Sequence, residues 1–142
     1  MSVAAILLPL FVQVLLTFAI LVVLGRRRLG PVRRGEIGDE ALLDDRVWPE
    51  KVRQAGNSFR NQFEIPVLFY IIVVLALVTR KADLLFVVLS WVFVLSRIGH
   101  AAVHLGSNDI RFRFPFYLVG VAVLLLMWVL FALAILFAPL VP

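Results

Sequence analysis

Long apolar runs separated by short polar connections dominate the chain. The first run extends from Val3 to Leu24 and the last from Phe114 to Val141, and neither contains a charged residue. Because a helix needs about 20 residues to cross a bilayer, each run predicts one membrane-spanning helix. Two further uncharged runs, Ile65 to Val78 and Leu84 to Leu95, are too short to cross alone. Both middle crossings are therefore expected to include the polar residues beside them.

The second crossing is predicted as a helix from about Pro49 to Thr79, kinked at Pro66, with a polar first half. At about 100° per residue its polar side chains fall on one face: Arg53, Asn57, Arg60, Asn61 and Glu64. The third crossing must continue through a second stripe at i, i+3 and i+7, formed by Arg97, His100 and His104. Ionisable groups inside a membrane are costly, so by default they mark a functional site.

A short turn at Arg80 and Lys81 predicts that the two stripes face each other at equal depth. In antiparallel register about that turn, the matched pairs are Glu64 with Arg97, Asn61 with His100, and Asn57 with His104. The same construction about the turn near Asn108 sets Arg113 of the fourth crossing level with His104, and Tyr117 level with His100. The result is a polar, cationic chamber ringed by Arg60, Asn61, Glu64, Arg97, His100, His104, Arg113 and Tyr117.

Most parts of this chamber also have a purely structural explanation. Glu64 and Arg97 could form a buried ion pair that only fixes helix packing, and Asn61 could be a hydrogen bond between helices. His100 and His104 have a spacing that can ligate zinc, but no third ligand lies at a telling distance, so no metal is expected.

Charge balance gives the chamber a preference for anions. One glutamate cannot neutralise Arg60, Arg97 and Arg113 together, so the surplus charge implies an anionic ligand or lipid head group. Gln13 on the first helix is a further polar residue, which is better explained by packing between helices than as a pocket wall.

Composition supports a membrane protein and excludes several other classes. The chain has 142 residues, 63% of them hydrophobic, and a mean hydropathy of +1.03, which is far too apolar for a soluble domain. The absence of cysteine excludes disulfides, thiolate nucleophiles and cysteine metal sites. The net charge of +5 comes from basic residues in the connections, which suits membrane topology better than nucleic-acid binding.

Together these features predict an all-α integral membrane four-helix bundle with one domain over residues 1–142. The spans are placed at about 3–24, 61–80, 83–105 and 114–139, with an inner loop over 25–54 and both termini outside. A cleaved signal peptide is disfavoured because Arg26 to Arg28 follow the first run and no basic segment precedes it. The competing prediction is three membrane spans, with the second and third apolar runs forming a re-entrant hairpin.

At these polar residues the chain resembles the MAPEG family, the membrane-associated proteins in eicosanoid and glutathione metabolism. The resemblance rests on three short ordered motifs and four spans over nearly the whole chain: Arg60-Asn61-x-x-Glu64, Arg97-x-x-His100 with Leu105-Gly106, and Arg113-x-x-x-Tyr117. It implies a homotrimer in a bacterial inner membrane, with glutathione held between neighbouring subunits and an apolar co-substrate arriving from the lipid.

The resemblance also implies roles for individual residues. Arg113 and Tyr117 would be catalytic and would stabilise the glutathione thiolate, and the residues expected to bind glutathione are Arg60, Asn61, Glu64, His100, His104, Arg113 and Tyr117. The chain departs from the family pattern at three positions. Asn57 stands where family enzymes carry Arg, His104 where they often carry Tyr, and Phe114 where the prostaglandin synthase has Ser.

The resulting hypothesis is a glutathione-dependent transferase or peroxidase-like membrane protein that acts on lipophilic electrophiles. The alternative is a non-catalytic trimer that binds a lipid or partner through the same chamber. A small channel or proton path through Glu64 and the two histidines is a third, weaker interpretation, because one chain of this size cannot enclose a pore.

Overall fold

The computed structural model describes residues 1–138, which are folded as helices joined by short turns and one long connection and contain no strand. Its α-helices are α1 (Val3–Arg33), α2 (Glu50–Arg60), α3 (Ile65–Val78), α4 (Leu84–Leu105) and α5 (Ile110–Leu136). Helices α2 and α3 together form one crossing, so four stretches are long and apolar enough to span a membrane. The predicted all-α four-helix architecture is confirmed. The predicted end of the fourth span, residue 139, lies outside the described residues.

Helix α1 is longer than the apolar run that predicted it. Its 31 residues extend about 46 Å at 1.5 Å per residue, so residues 25–33 of the predicted loop are helical. The Arg26 to Arg28 run favours helix, and the helix stops where Gly35 takes a positive φ of 68° that glycine adopts without strain. The rest of the connection contains two 3₁₀ turns, Asp39–Leu42 and Asp45–Val47.

The second crossing is broken, whereas the sequence predicted a continuous helix with a kink at Pro66. Helix α2 ends at Arg60, a 3₁₀ turn covers Asn61–Phe63, and Glu64 has the non-helical angles φ −94° and ψ −109°. Pro66 lies in the first turn of α3, where its missing N–H removes no helical hydrogen bond. The break therefore precedes the proline and places Asn61 and Glu64 outside regular helix.

Short turns hold α3, α4 and α5 as antiparallel neighbours. In each turn one residue takes a left-handed conformation, Arg80 with φ 56° and Asn108 with φ 57°. An aspartate caps the next helix, since Asp83 accepts from Phe86 N–H at 2.8 Å and Asp109 accepts from Arg111 N–H at 2.9 Å. These turns fix the depth at which the polar residues of α4 and α5 meet.

Aromatic and aliphatic packing holds the bundle at mid-depth. Phe69 of α3 and Phe93 of α4 are fully buried and stack with ring centroids 4.6 Å apart. The outward face of α1 is apolar and exposed, as expected for lipid contact, with Leu8, Phe11, Leu15, Phe18 and Val22. Helices α4 and α5 approach closely at Gly99, where an added Cβ would come within 2.5 Å of the Phe116 ring.

Candidate functional site

The break between α2 and α3 opens onto a cavity of about 510 Å³ near the end of α4 and the start of α5. The lining residues are Asn57, Arg60, Asn61, Glu64, His100, His104, Ile110, Arg113, Phe114 and Tyr117. All seven residues expected to bind glutathione are among them. Arg97, the eighth residue of the predicted chamber, is not. We refer to this cavity as the chamber.

His100 joins three of the elements that surround the chamber. Its Nδ1 lies 3.2 Å from the carbonyl oxygen of Arg113 on α5, and its Nε2 lies 3.3 Å from Asn61 Nδ2 at the break. A carbonyl only accepts, so Nδ1 carries the hydrogen, and Nε2 accepts from Asn61 in the neutral ring. The predicted pairing of Asn61 with His100 is therefore present, and both ring nitrogens are occupied.

Two polar atoms of the chamber walls remain without a partner. Asn61 Oδ1 and His104 Nδ1 are enclosed and make no hydrogen bond within residues 1–138. An unpaired buried acceptor is tolerated better than an unpaired N–H, so the favoured neutral His104 carries its hydrogen on Nε2. Because His104 lines the chamber, that N–H is the one available to a ligand. Asn61 Oδ1 is an acceptor that has no partner but is enclosed in this structure.

The expected ion pair between Glu64 and Arg97 does not form in this structure. Glu64 is exposed at the chamber wall, whereas Arg97 is 0% exposed and none of its three side-chain nitrogens has a hydrogen-bond partner within residues 1–138. The irregular backbone at Glu64 explains the difference, because the register construction assumed a regular helix through residue 64. The Cδ methylene of Arg97 packs beside Gly120 of α5.

The two arginines that line the chamber are held at its rim. Arg60 Nη2 donates to Asp45 Oδ2 at 2.6 Å, and Arg113 Nη1 donates to Asn108 Oδ1 at 2.5 Å. The sequence did not single out Asp45 as a site residue, because it lies in a charged connection that reads as solvated surface. The only feature of the sequence that points to Asp45 is the excess of arginines over acidic residues near the second helix, since these arginines need acidic partners.

Tyr117 and Phe114 complete the α5 wall. The Tyr117 ring lies 6.0 Å from the His100 ring, centroid to centroid, which agrees with their predicted equal depth. Phe114 and Ile110 also line the chamber, so this wall is partly apolar. The position at which the prostaglandin synthase has a serine thus presents a ring to the chamber.

Gln13 takes the packing role expected for it. It is fully buried in α1, and its Nε2 donates to Gln62 Oε1 in the 3₁₀ turn at 3.0 Å. This bond ties α1 to the break between α2 and α3. Within residues 1–138, the structure brings no three His, Cys, Asp or Glu side chains together as a metal site.

The fold and the chamber define an all-α, multi-pass membrane protein with a cationic polar cavity at one end of its helical bundle. The chain matches the MAPEG family over residues 6–133, nearly its whole length, and it belongs to that family. Members of the family generally use glutathione. Comparison with curated proteins and with solved structures finds no match.

Proposed function

We propose that the chain is a glutathione-dependent transferase or peroxidase-like membrane enzyme that acts on lipophilic electrophiles. The supporting observation is that two arginines, a glutamate, an asparagine and two histidines line one cavity in a MAPEG chain. The cavity of about 510 Å³ falls within the range of small-molecule sites, roughly 300–1,000 Å³. Glutathione has two carboxylates and an ammonium group, which complement this set of charges.

Each lining residue has a role that suits its free atoms. Arg60 and Arg113 would bind carboxylate groups, Glu64 would accept from the ammonium group, and Asn61 Oδ1 would accept from an amide N–H. His100 positions two of these groups, because it holds both the Asn61 amide and the backbone of Arg113. His104 would donate through Nε2.

Bound glutathione supplies a thiolate nucleophile. Arg113 and Tyr117 lie one turn apart on α5 and both line the chamber, so a cation and a hydroxyl face the same space. A nearby positive charge favours the thiolate over the thiol. The proposed role of Arg113 and Tyr117 is to raise the thiolate fraction of bound glutathione. Tyr117 would donate its hydroxyl to the sulfur, because Phe114 has no hydroxyl to donate.

Thermal unfolding of the detergent-solubilised protein tests this proposal. A ligand that binds only the native state at 100 times its Kd stabilises it by about 2.7 kcal/mol, so saturating glutathione should raise the Tm of the wild-type chain. Arg113→Ala should lose most of that rise. Leu125→Ala, at a 63% exposed position on α5, is the control and should keep it. No rise for the wild type at millimolar glutathione would overturn the proposal.

A non-catalytic binding protein is the second candidate, and Phe114 favours it. An apolar ring in the α5 wall leaves Tyr117 as the hydroxyl of the chamber lining. Turnover of an activated aryl chloride separates the two candidates, because a transferase releases chloride as the sulfur–carbon bond forms. Glutathione binding without chloride release would favour the binding protein.

The assembly that accompanies this function comes from the family resemblance, and the orientation comes from the basic residues in the connections. We propose a homotrimer in a bacterial inner membrane, with both termini outside and the Arg-rich connections inside. Light scattering of the purified protein, corrected for detergent, tests the trimer directly.

A further inference from the structure

A second polar cavity of about 380 Å³ adjoins the chamber. Its lining residues are Asp45, Arg46, Glu50, Arg53, Gln54, Asn57, Arg60 and Asn108, and we refer to it as the vestibule. Asn57 and Arg60 line both cavities. The vestibule is walled by α2 and by the two connections at the chamber end of the bundle, so it is a polar cavity beside the chamber.

The Arg60 guanidinium, which lines both cavities, is already paired with a carboxylate of the same chain. Asp45 Oδ2 accepts from Arg60 Nη2 at 2.6 Å, and the two side chains are 53% and 61% exposed. Asp45 lies in the 3₁₀ turn Asp45–Val47 of the long connection, whereas Arg60 is the last residue of α2. The contact therefore joins the connection to the wall of the chamber.

We propose that the Asp45 carboxylate competes with an anionic ligand for Arg60, and so lowers the affinity of the chamber for a ligand carboxylate. The inference rests on the proposed function, because it concerns the ligand of the same chamber. A ligand carboxylate takes the place of the Asp45 carboxylate on the guanidinium, and no covalent bond changes. Asp45 then returns to solvent with its connection.

The geometry makes this exchange reversible. The pair is half exposed and uses one guanidinium nitrogen, and exposed ion pairs contribute little to stability. A ligand carboxylate can engage two nitrogens of the same fork, which is the stronger arrangement. A neutral ligand gains nothing comparable at Arg60 and leaves the Asp45 pair intact.

Asp44 provides a matched control one residue away. Its carboxylate accepts from the Arg46 backbone at 2.8 Å and from Arg46 Nε at 3.1 Å, so it is committed to a different arginine. The backbone hydrogen bond, followed by that of the Arg46 side chain, lowers the pKa of Asp44. Asp44→Asn therefore removes the same charge from the same turn without freeing Arg60.

The test compares glutathione affinity in full-length detergent-solubilised variants by calorimetry. Asp45→Asn should tighten binding about two- to fivefold, which is roughly 0.4–1 kcal/mol at 1.4 kcal/mol per tenfold change and lies within the range for exposed pairs. Asp44→Asn should leave the Kd within experimental error. In an Arg60→Gln background, Asp45→Asn should produce no gain. Equal tightening by the two aspartate variants, or no change with Asp45→Asn, would overturn the inference.

A second measurement needs no ligand and separates this inference from the proposed function. Amide hydrogen exchange over residues 39–48 should rise in Asp45→Asn and in Arg60→Gln to the same extent, with no further rise in the double variant. If the wild type binds no glutathione, the proposed function fails while this comparison still decides whether Arg60 holds Asp45. Unchanged exchange in both single variants would show that it does not.

Discussion

At the scale of single residues, Arg97 has the environment least suited to its chemistry. A charged side chain inside a membrane costs at least about 2.5–3.5 kcal/mol, and Arg97 is fully buried with no partner for its three nitrogens within residues 1–138. Its presence in the interior is therefore a source of instability in the isolated chain. Glu64, exposed at the chamber wall, does not relieve it through direct contact.

Replacing Arg97 with an apolar side chain of similar length tests that conclusion. Arg97→Met should leave the free energy of unfolding unchanged or raise it by about 1–4 kcal/mol, because an uncompensated buried charge is removed. Thermal unfolding in detergent without ligand is the measurement. Glu64→Gln is the companion variant and should also be neutral. A loss of about 3–5 kcal/mol in either variant would instead indicate the direct ion pair that the sequence predicted.

At the scale of helices, the end of α4 depends on side chains from α1 and α2. Arg27 Nη2 donates to the carbonyl of Leu105 at 2.7 Å, and Gln54 Nε2 donates to the carbonyl of His104 at 2.6 Å. The last carbonyls of a helix have no partner within the helix, so these bonds supply what α4 lacks. They also hold His104 at the depth of the chamber.

Arg27 and its neighbour Arg26 form a natural pair for measuring this contribution. Arg27 also donates to the carbonyl of Lys51 at 2.9 Å, whereas Arg26 is exposed and its side chain makes no hydrogen bond within residues 1–138. Arg27→Gln should lower the free energy of unfolding by about 1–3 kcal/mol, the usual range for charged hydrogen bonds and unpaired carbonyls. Arg26→Gln should change it by less than about 0.5 kcal/mol. Equal effects in thermal unfolding would contradict the capping role of Arg27.

At the scale of the whole molecule, the connections sort to two ends of the bundle. The long connection after α1 and the turn before α5 both border the vestibule, through Asp45 and Asn108. The turn between α3 and α4, at Arg80 and Lys81, lies at the other end because α4 crosses between the two turns. The polar chemistry is concentrated at the first end, which also holds most of the arginines.

Because the chain has no cysteine, single introduced cysteines can map this arrangement in intact membranes. Leu43→Cys, at a 95% exposed position, and Ser107→Cys should react with an impermeant thiol reagent from one side. Lys81→Cys and Ser2→Cys should react from the other side. Labelling of positions 43 and 107 from opposite sides would contradict four crossings. The same experiment shows which side faces the cell interior, where Arg-rich connections are expected.

The sequence by itself determined the four crossings and the depth of the polar residues. These properties depend on the length of apolar runs and on the rise per residue, which are local, so the contact of Asn61 with His100 could be placed correctly across 39 residues of chain. The helical extension of α1 to Arg33 was not predicted, because residues 25–33 were assigned to the loop. The caps of α4 and α5 by Asp83 and Asp109 are local hydrogen bonds that only the structure identified.

Tertiary structure alone decided the break at Asn61 to Glu64, the isolation of Arg97 and the capture of Arg60 by Asp45. A proline signals disruption without saying on which side of it the helix ends. The backbone at Glu64 is non-helical, so the depth that a regular helix assigns to that carboxylate does not apply. Asp45 reaches Arg60 through a connection whose path depends on many dihedral angles. Contacts of this kind depend on how whole segments pack, so no periodic pattern in the sequence predicts them.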